Sequence, residues 1–221
     1  MLLNYLYTNF MEETEFAQAI NTPKQQLRNL ITTRVFPAPS YVYNSNGQSI
    51  SFIGTFTDTG TYRFHLQGHR AWHEAILQND LTTESRARRY FFNRYEAEKK
   101  AFLEGSLGGA LAKVSPEIPA RFDTTHASST WGYFLDGVYG VCTRDGQPET
   151  IFRKQICVMF IEHMTAGHAD AMTDDFLALL KRAVTFLDSV ESDFAPHEVK
   201  QTSRQRCIID VKSKFLNRIE P

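Results

Sequence analysis

The segment Trp131-Gly132-Tyr133-Phe134-Leu135-Asp136-Gly137-Val138-Tyr139 decides the fold. Trp131, Phe134, Leu135, Val138 and Tyr139 recur at i, i+3, i+4, i+7 and i+8, the spacing of one apolar face on an α-helix. The same period continues on both sides. Downstream, Arg144-Asp145-Gly146-Gln147-Pro148 is a tight turn, and Pro148 opens a helix with the stripe Cys157, Phe160, Ile161 and Met164. Thr173 caps a long helix that turns Leu177, Leu180, Val184 and Leu187 inward. Pro196 separates it from a last helix, capped by Thr202 or Ser203, with Ile208, Val211 and Phe215 apolar. Upstream, the pattern predicts one helix from Gly68 to Leu77 and another over 83–103, with Phe91, Phe92, Tyr95 and Phe102 inward. Residues 105–123, with Gly108, Gly109, Pro116 and Pro119, read as a linker or lid. Short turns between successive helices favour antiparallel neighbours, so residues 67–221 are expected to form an antiparallel helical bundle.

Residues 1–66 carry a different pattern. Leu3, Leu6, Tyr7 and Phe10 predict an amphipathic first helix, and a second covers Glu12 to Ile20. Thr22-Pro23 offers an N-cap and a first helical position for a third, whose apolar face is Leu27, Leu30 and Ile31. Phe36-Pro37-Ala38-Pro39-Ser40 ends it. Tyr41-Val42-Tyr43 is strand-like, Asn44-Ser45-Asn46-Gly47 is a turn signal, and Ser49 to Phe56 alternates loosely. A second turn signal lies near Asp58-Thr59-Gly60, before Tyr62-Arg63-Phe64, so a short β-hairpin or meander is expected. The expected class is mainly α: a C-terminal antiparallel bundle, preceded over 1–66 by a small helix-turn-helix-like module and a short β-hairpin, packed as one compact unit.

With 42% hydrophobic residues, 17 Phe and 9 Tyr, the 221-residue chain has material for a substantial core, which argues against disorder. Its 24 basic and 25 acidic residues leave a net charge of −1, with no global pull toward nucleic acid or anionic lipid. Cys142, Cys157 and Cys207 are an odd, widely spaced set without a CxxC pair, as expected of reduced thiols. Met1-Leu2-Leu3-Asn4-Tyr5 lacks the basic start and long apolar run of a signal peptide, and no apolar stretch reaches spanning length. The expected location is cytoplasmic, with no membrane partner.

Three groups of residues could carry chemistry. His65, His69 and His73 recur every four residues, and imidazoles at i, i+4 can chelate a metal. Gly68 interrupts the series, which leaves His69 and His73 as the usable pair, with His126, His163 or His168 as sources of a third ligand. Two histidines are not a site, and ordinary core-edge histidines beside Trp72 are the simpler account. The second group lies on the third helix, where Lys24, Gln25, Gln26, Arg28 and Asn29 are all able to read bases, with Asp58 to Phe64 as a wing. Against it, Glu12, Glu13 and Glu15 balance Lys24, Arg28 and Arg34, so nucleic acid is not the expected partner. The third group is the turn from Tyr139 to Lys154. Cys142 supplies a thiol there, and Arg144, Arg153 and Lys154 could hold an anion near the following helix N-terminus. A buried filler cysteine with solvated cations is the plainer account. The sequence lacks HExxH, GxSxG, a phosphate-cradling glycine loop and a paired-carboxylate signature, and it names no cofactor.

Two segments carry a resemblance. One is Leu30-Ile31 followed by Pro37-Ala38-Pro39-Ser40-Tyr41; the other runs from Trp131 through Arg144 to Pro148-Glu149 and Lys154. Together with Ser203-Arg204, they resemble an uncharacterised bacterial family often labelled as a natural-product biosynthesis protein. The resemblance covers nearly the whole chain. It implies a role beside secondary-metabolite genes and carries no catalytic residue over. The expected function is therefore a small-molecule-binding enzyme or accessory protein in such a pathway, with Trp131, Tyr139, Cys142, Arg144, Arg153 and Lys154 around the ligand. A DNA-binding regulator and a metalloprotein using His69 and His73 are the alternatives. Homo-oligomerisation stays open.

Overall fold

The computed structural model describes residues 2–166 and 173–216. It is mainly helical, with a small antiparallel three-stranded sheet near the N-terminus. Helix α1 (Leu2–Asn9) leads into strand β1 (Phe10–Glu12), then helices α2 (Glu13–Ala19) and α3 (Lys24–Thr32). Phe10 is thus the first residue of a strand and not the last of the helix. Its ring is buried with Leu6, Phe64 and Leu66 in a satellite cluster between α1 and the sheet. Helix α2 starts where the Glu12 carboxylate accepts a bond from Thr14 N at 2.7 Å. Pro23, and not Thr22, stands just before α3. The Thr22 hydroxyl is engaged elsewhere, with Ile20 O at 3.1 Å and with the His73 ring.

Strands β2 (Tyr41–Ser51) and β3 (Gly54–Leu66) form one long hairpin turned at Phe52 and Ile53, and β1 pairs with the far end of β3. The sheet order is β1-β3-β2. The two expected turns do not form, because the two turn signals lie opposite each other across the ladder. Asn46 faces Thr59 and Gly47 faces Asp58, so the pairing runs past both.

Helices α4 (His69–Gln78), α5 (Glu84–Glu104) and α6 (Ser106–Val114) follow, the second capped by Thr83 Oγ1 on Arg86 N. The 105–123 stretch is not a linker. It holds α6 and a 3₁₀ turn over Pro119–Arg121, and it buries Leu111, Ile118 and Phe122. The decisive stripe divides into α7 (Thr124–Leu135) and α8 (Val138–Cys142). Gly137, with φ of 76°, breaks it in the left-handed region. A side chain there would strike the Ala38 carbonyl oxygen at 2.7 Å, where the chain from α3 crosses. Helix α9 (Pro148–Thr165) packs against both α5 and α10 (Asp174–Val190), and π-helical turns over Arg204–Ile209 and Lys212–Leu216 close on α10.

One hydrophobic cluster runs through both parts of the chain. Phe16, Leu27 and Phe36 of the N-terminal module join Trp72, Phe91, Trp131, Phe134, Phe152 and Leu187. Polar ties cross the same boundary: Trp72 Nε1 donates to Val35 O at 2.9 Å, and Ala38 N to Leu135 O at 2.8 Å. Among the described residues, no helix is long and apolar enough to cross a membrane.

Candidate functional site

Helix α3 sits on the outside of the N-terminal module, held by a single fully buried side chain, Leu27, with Leu30 and Ile31 half-buried. Lys24, Gln25, Gln26, Arg28 and Asn29 are all exposed, and so are Thr32 and Thr33. The turn from Ile20 to Pro23 sets α3 across α2. An Arg28–Glu13 ion pair locks the two: Arg28 Nε meets Glu13 Oε1 at 3.1 Å, and a second guanidinium nitrogen meets Oε2. Burial alone would push the Glu13 carboxyl up. The hydrogen bond and charge of Arg28 outweigh it and hold Glu13 below the usual carboxylate range. Lys24 Nζ rests on Thr14 Oγ1 at 3.2 Å, and Gln25 donates to Asn29 Oδ1 at 3.3 Å. The helix thus presents a continuous polar face of amides, hydroxyls and two cations.

The three histidines are core residues. His65 stacks on Phe16, with ring centroids 4.9 Å apart, and Phe36 lies within 6.5 Å of the rings of His65, His69 and His73. His73 Nε2 is bonded to Thr22 Oγ1 at 3.1 Å. His65 and His69 have no hydrogen-bond partner for either ring nitrogen among the described residues, nor has the Ser40 hydroxyl. Burial pushes His65 down to about 4 and His69 down to about 3. His69 fits only because its neighbours are glycines. A side chain at Gly146, where φ is 67°, would come within 2.5 Å of His69 Nε2, and one at Gly140 would meet both Ser40 and the His69 ring. Gly68 lies equally close on the backbone of Asp145. The first and third groups of candidates therefore meet: the base of α4 is pressed into the turn after α8. No group of three His, Cys, Asp or Glu able to hold a metal occurs among the described residues. His126 sits against Phe122 on α7, His163 pairs with Glu117 on α9, and His168 lies outside the described residues.

Of the six residues expected around a ligand, Cys142 stays within electrostatic reach of Tyr139 and Lys154, and the others turn to partners of their own. Trp131 is buried, stacked on Phe134, with its indole nitrogen on Glu84 at 3.1 Å. The Tyr139 hydroxyl accepts from Gln155 at 2.6 Å in the core. Arg153 forms a fork with Glu98 at 2.7 and 2.9 Å. Arg144 reaches the carbonyl of Asp188 at 3.1 Å and the carboxylate of Asp193 at 3.5 Å. Lys154 stands 3.8 Å from the fully buried Glu191, whose other partner is the Ser203 hydroxyl. Burial pushes the Cys142 thiol up, against the opposing charge of Lys154, so it is a poor nucleophile. Glu191 escapes sequence reasoning, because nothing local marks it as the partner of Lys154. Arg144, Gly140 and Thr143 do line a small recess of about 100 Å³ with Tyr5 and Phe10.

No curated protein and no solved structure matches the chain. A family model described as "Family of unknown function (DUF6058)" matches residues 87–216, which leaves α1 to α4 and the sheet outside the matched span. From α5 to the closing π-helical turns the matched span takes in the larger helical part, and the chain belongs to DUF6058, a family of unknown function.

Proposed function

We propose that this protein binds duplex DNA through its N-terminal module, with α3 reading the major groove and the β2–β3 hairpin as a wing. One observation carries the proposal. The order helix, short strand, two helices across a tight turn, then hairpin, with the sheet ordered β1-β3-β2, is analogous to that of winged helix-turn-helix modules, and the helix at the reading position is the exposed polar one. This is an analogy of fold, strengthened by side-chain chemistry: Gln25, Gln26 and Asn29 suit adenine edges, and Arg28 suits guanine. Lys24, Arg28, Arg34 and Arg63 are offset by Glu12, Glu13, Glu15 and Asp58, so the electrostatic share of binding is small. The expected log–log salt slope is no steeper than about −4.

The test is enrichment of duplexes from a random-sequence pool by the full chain, followed by anisotropy titration at graded salt. The proposal expects a recurrent sequence to emerge. Gln25→Ala and Asn29→Ala should relax base preference, and Lys24→Ala should weaken all duplexes alike. Absence of enrichment, or equal binding by a Lys24→Ala/Gln25→Ala/Asn29→Ala variant, overturns it.

A second reading, small-molecule binding in a natural-product pathway, is supported by the recess beside Arg144 and by the sequence resemblance. Native mass spectrometry of protein purified from its own cells tests it. A co-purified metabolite lost on Arg144→Ala is the expected result, and bare protein counts against it.

A further inference from the structure

We infer that two copies of this chain join through the free edge of β2, antiparallel about a two-fold axis at Asn46, to make a four-stranded ribbon. Strand β2 is the edge of the sheet, and it runs for 11 residues, about 36 Å at about 3.3 Å per residue. From Arg63 back to the tip the hairpin has no third strand among the described residues, and from Asn44 to Thr61 every residue is exposed or half-exposed. Half of the backbone N–H and C=O groups of such an edge point away from its neighbour. Proteins that stay single guard an edge of this length with lysine, proline or a bulge. Residues 41–51 contain no charge, no proline and an unbroken register to β3. Outside its anchored base the hairpin is a two-stranded ribbon, marginal in water, so a further strand covering this edge would stabilise it.

The pattern along β2 identifies that cover as a second copy. The strand is apolar at its base, polar in the middle and apolar at its tip: Tyr41-Val42-Tyr43, then Asn44 to Ser49, then Ile50. Antiparallel pairing centred on Asn46 keeps each face continuous. It sets Val42 opposite the partner's Ile50, Asn44 opposite the partner's Gln48, and Asn46 opposite its own copy. Val42 and Ile50 are 56% and 77% exposed, and each gains an apolar cross-strand neighbour. The fully exposed Phe52 at the tip then lies beside the partner's base, where Leu3 and Tyr7 are also exposed. A charged partner has nothing to grip along this edge, since Asp58 and Arg63, the charges of the hairpin, both lie on β3 and none on β2. The contact is isologous and closed, the usual form of a homodimer.

The test is sedimentation equilibrium of the full chain without nucleic acid, so its outcome is separate from that of the DNA proposal. The wild-type chain is expected as a two-chain species at micromolar concentration. Val42→Lys should raise the dissociation constant at least tenfold, and Val42→Lys/Ile50→Glu should restore pairing by placing opposite charges across the axis. Both positions are exposed, and an unchanged circular-dichroism spectrum verifies the fold. A wild-type chain that stays single through the high-micromolar range overturns the inference. So does a double variant as dissociated as Val42→Lys. A single chain whose hairpin variants lose duplex affinity would assign the hairpin to DNA instead, and the dimer would fall.

Discussion

His65 and His69 are neutral in the folded chain, with values pushed to about 4 and about 3, and they regain about 6.5 when it unfolds. The unfolded chain therefore binds more protons below that value. Stability from these groups is complete above about pH 6.5 and declines as pH falls toward 4. Each contributes about 1.4 kcal/mol per pH unit, so the pair should steepen the decline between pH 6 and 5 by about 2 to 3 kcal/mol. Urea denaturation at stepped pH measures the slope, and His65→Phe, packed on Phe16, should roughly halve it. Lys154 and Glu191 make a different kind of buried group. Removing the cation strands a carboxylate that is fully enclosed, so Lys154→Met should cost about 3 kcal/mol. Adding Glu191→Gln should recover much of that loss in the same denaturation experiment, since the neutral amide keeps a partner in Ser203.

Among the elements, α3 is the most informative. Its Arg28 is tied to Glu13, so the carboxylate competes with any phosphate. Glu13→Gln should raise duplex affinity about three- to tenfold at low salt, an advantage that shrinks as salt rises; anisotropy titration measures both. How much of an element can be read from sequence depends on whether its signal is local. The stripes of α5, α9 and α10 are legible because the apolar period and the start signals, Thr83 and Thr173 as N-caps and Pro148 as a first helical residue, lie within or next to each helix. The hairpin is legible in kind but not in length. Asn44–Gly47 and Asp58–Gly60 each look like turns alone, and only apposition of the strands shows that they neutralise one another. The break at Gly137 is hidden for a similar reason. The stripe through Trp131 and Tyr139 is unbroken in sequence, and what stops it is the crossing chain at Ala38. The polar face of α3 is legible, since exposure follows from composition. The meeting of His69 with Gly146 and of Lys154 with Glu191 is not, because no local pattern encodes a distant contact.

On the scale of the whole molecule, the family span begins within α5, yet the core does not respect that boundary. Phe16 and Phe36 pack into one cluster with Phe91 and Phe134, and Ala38 N donates to Leu135 O across the same boundary. The full chain is therefore expected to melt in one calorimetric transition, with equal van't Hoff and calorimetric enthalpies. Two resolved transitions would mean that the N-terminal module folds apart from the rest. The contact of α4 with the turn after α8 has a mechanical corollary. Where Gly68 meets Asp145, main chain lies almost directly on main chain, and where Gly146 meets His69 it lies on a stiff, buried imidazole ring. A cushioned joint would swallow a displacement of a few tenths of an ångström. This bare one hands it on, so a push at the Arg144 turn arrives undamped at the root of the hairpin.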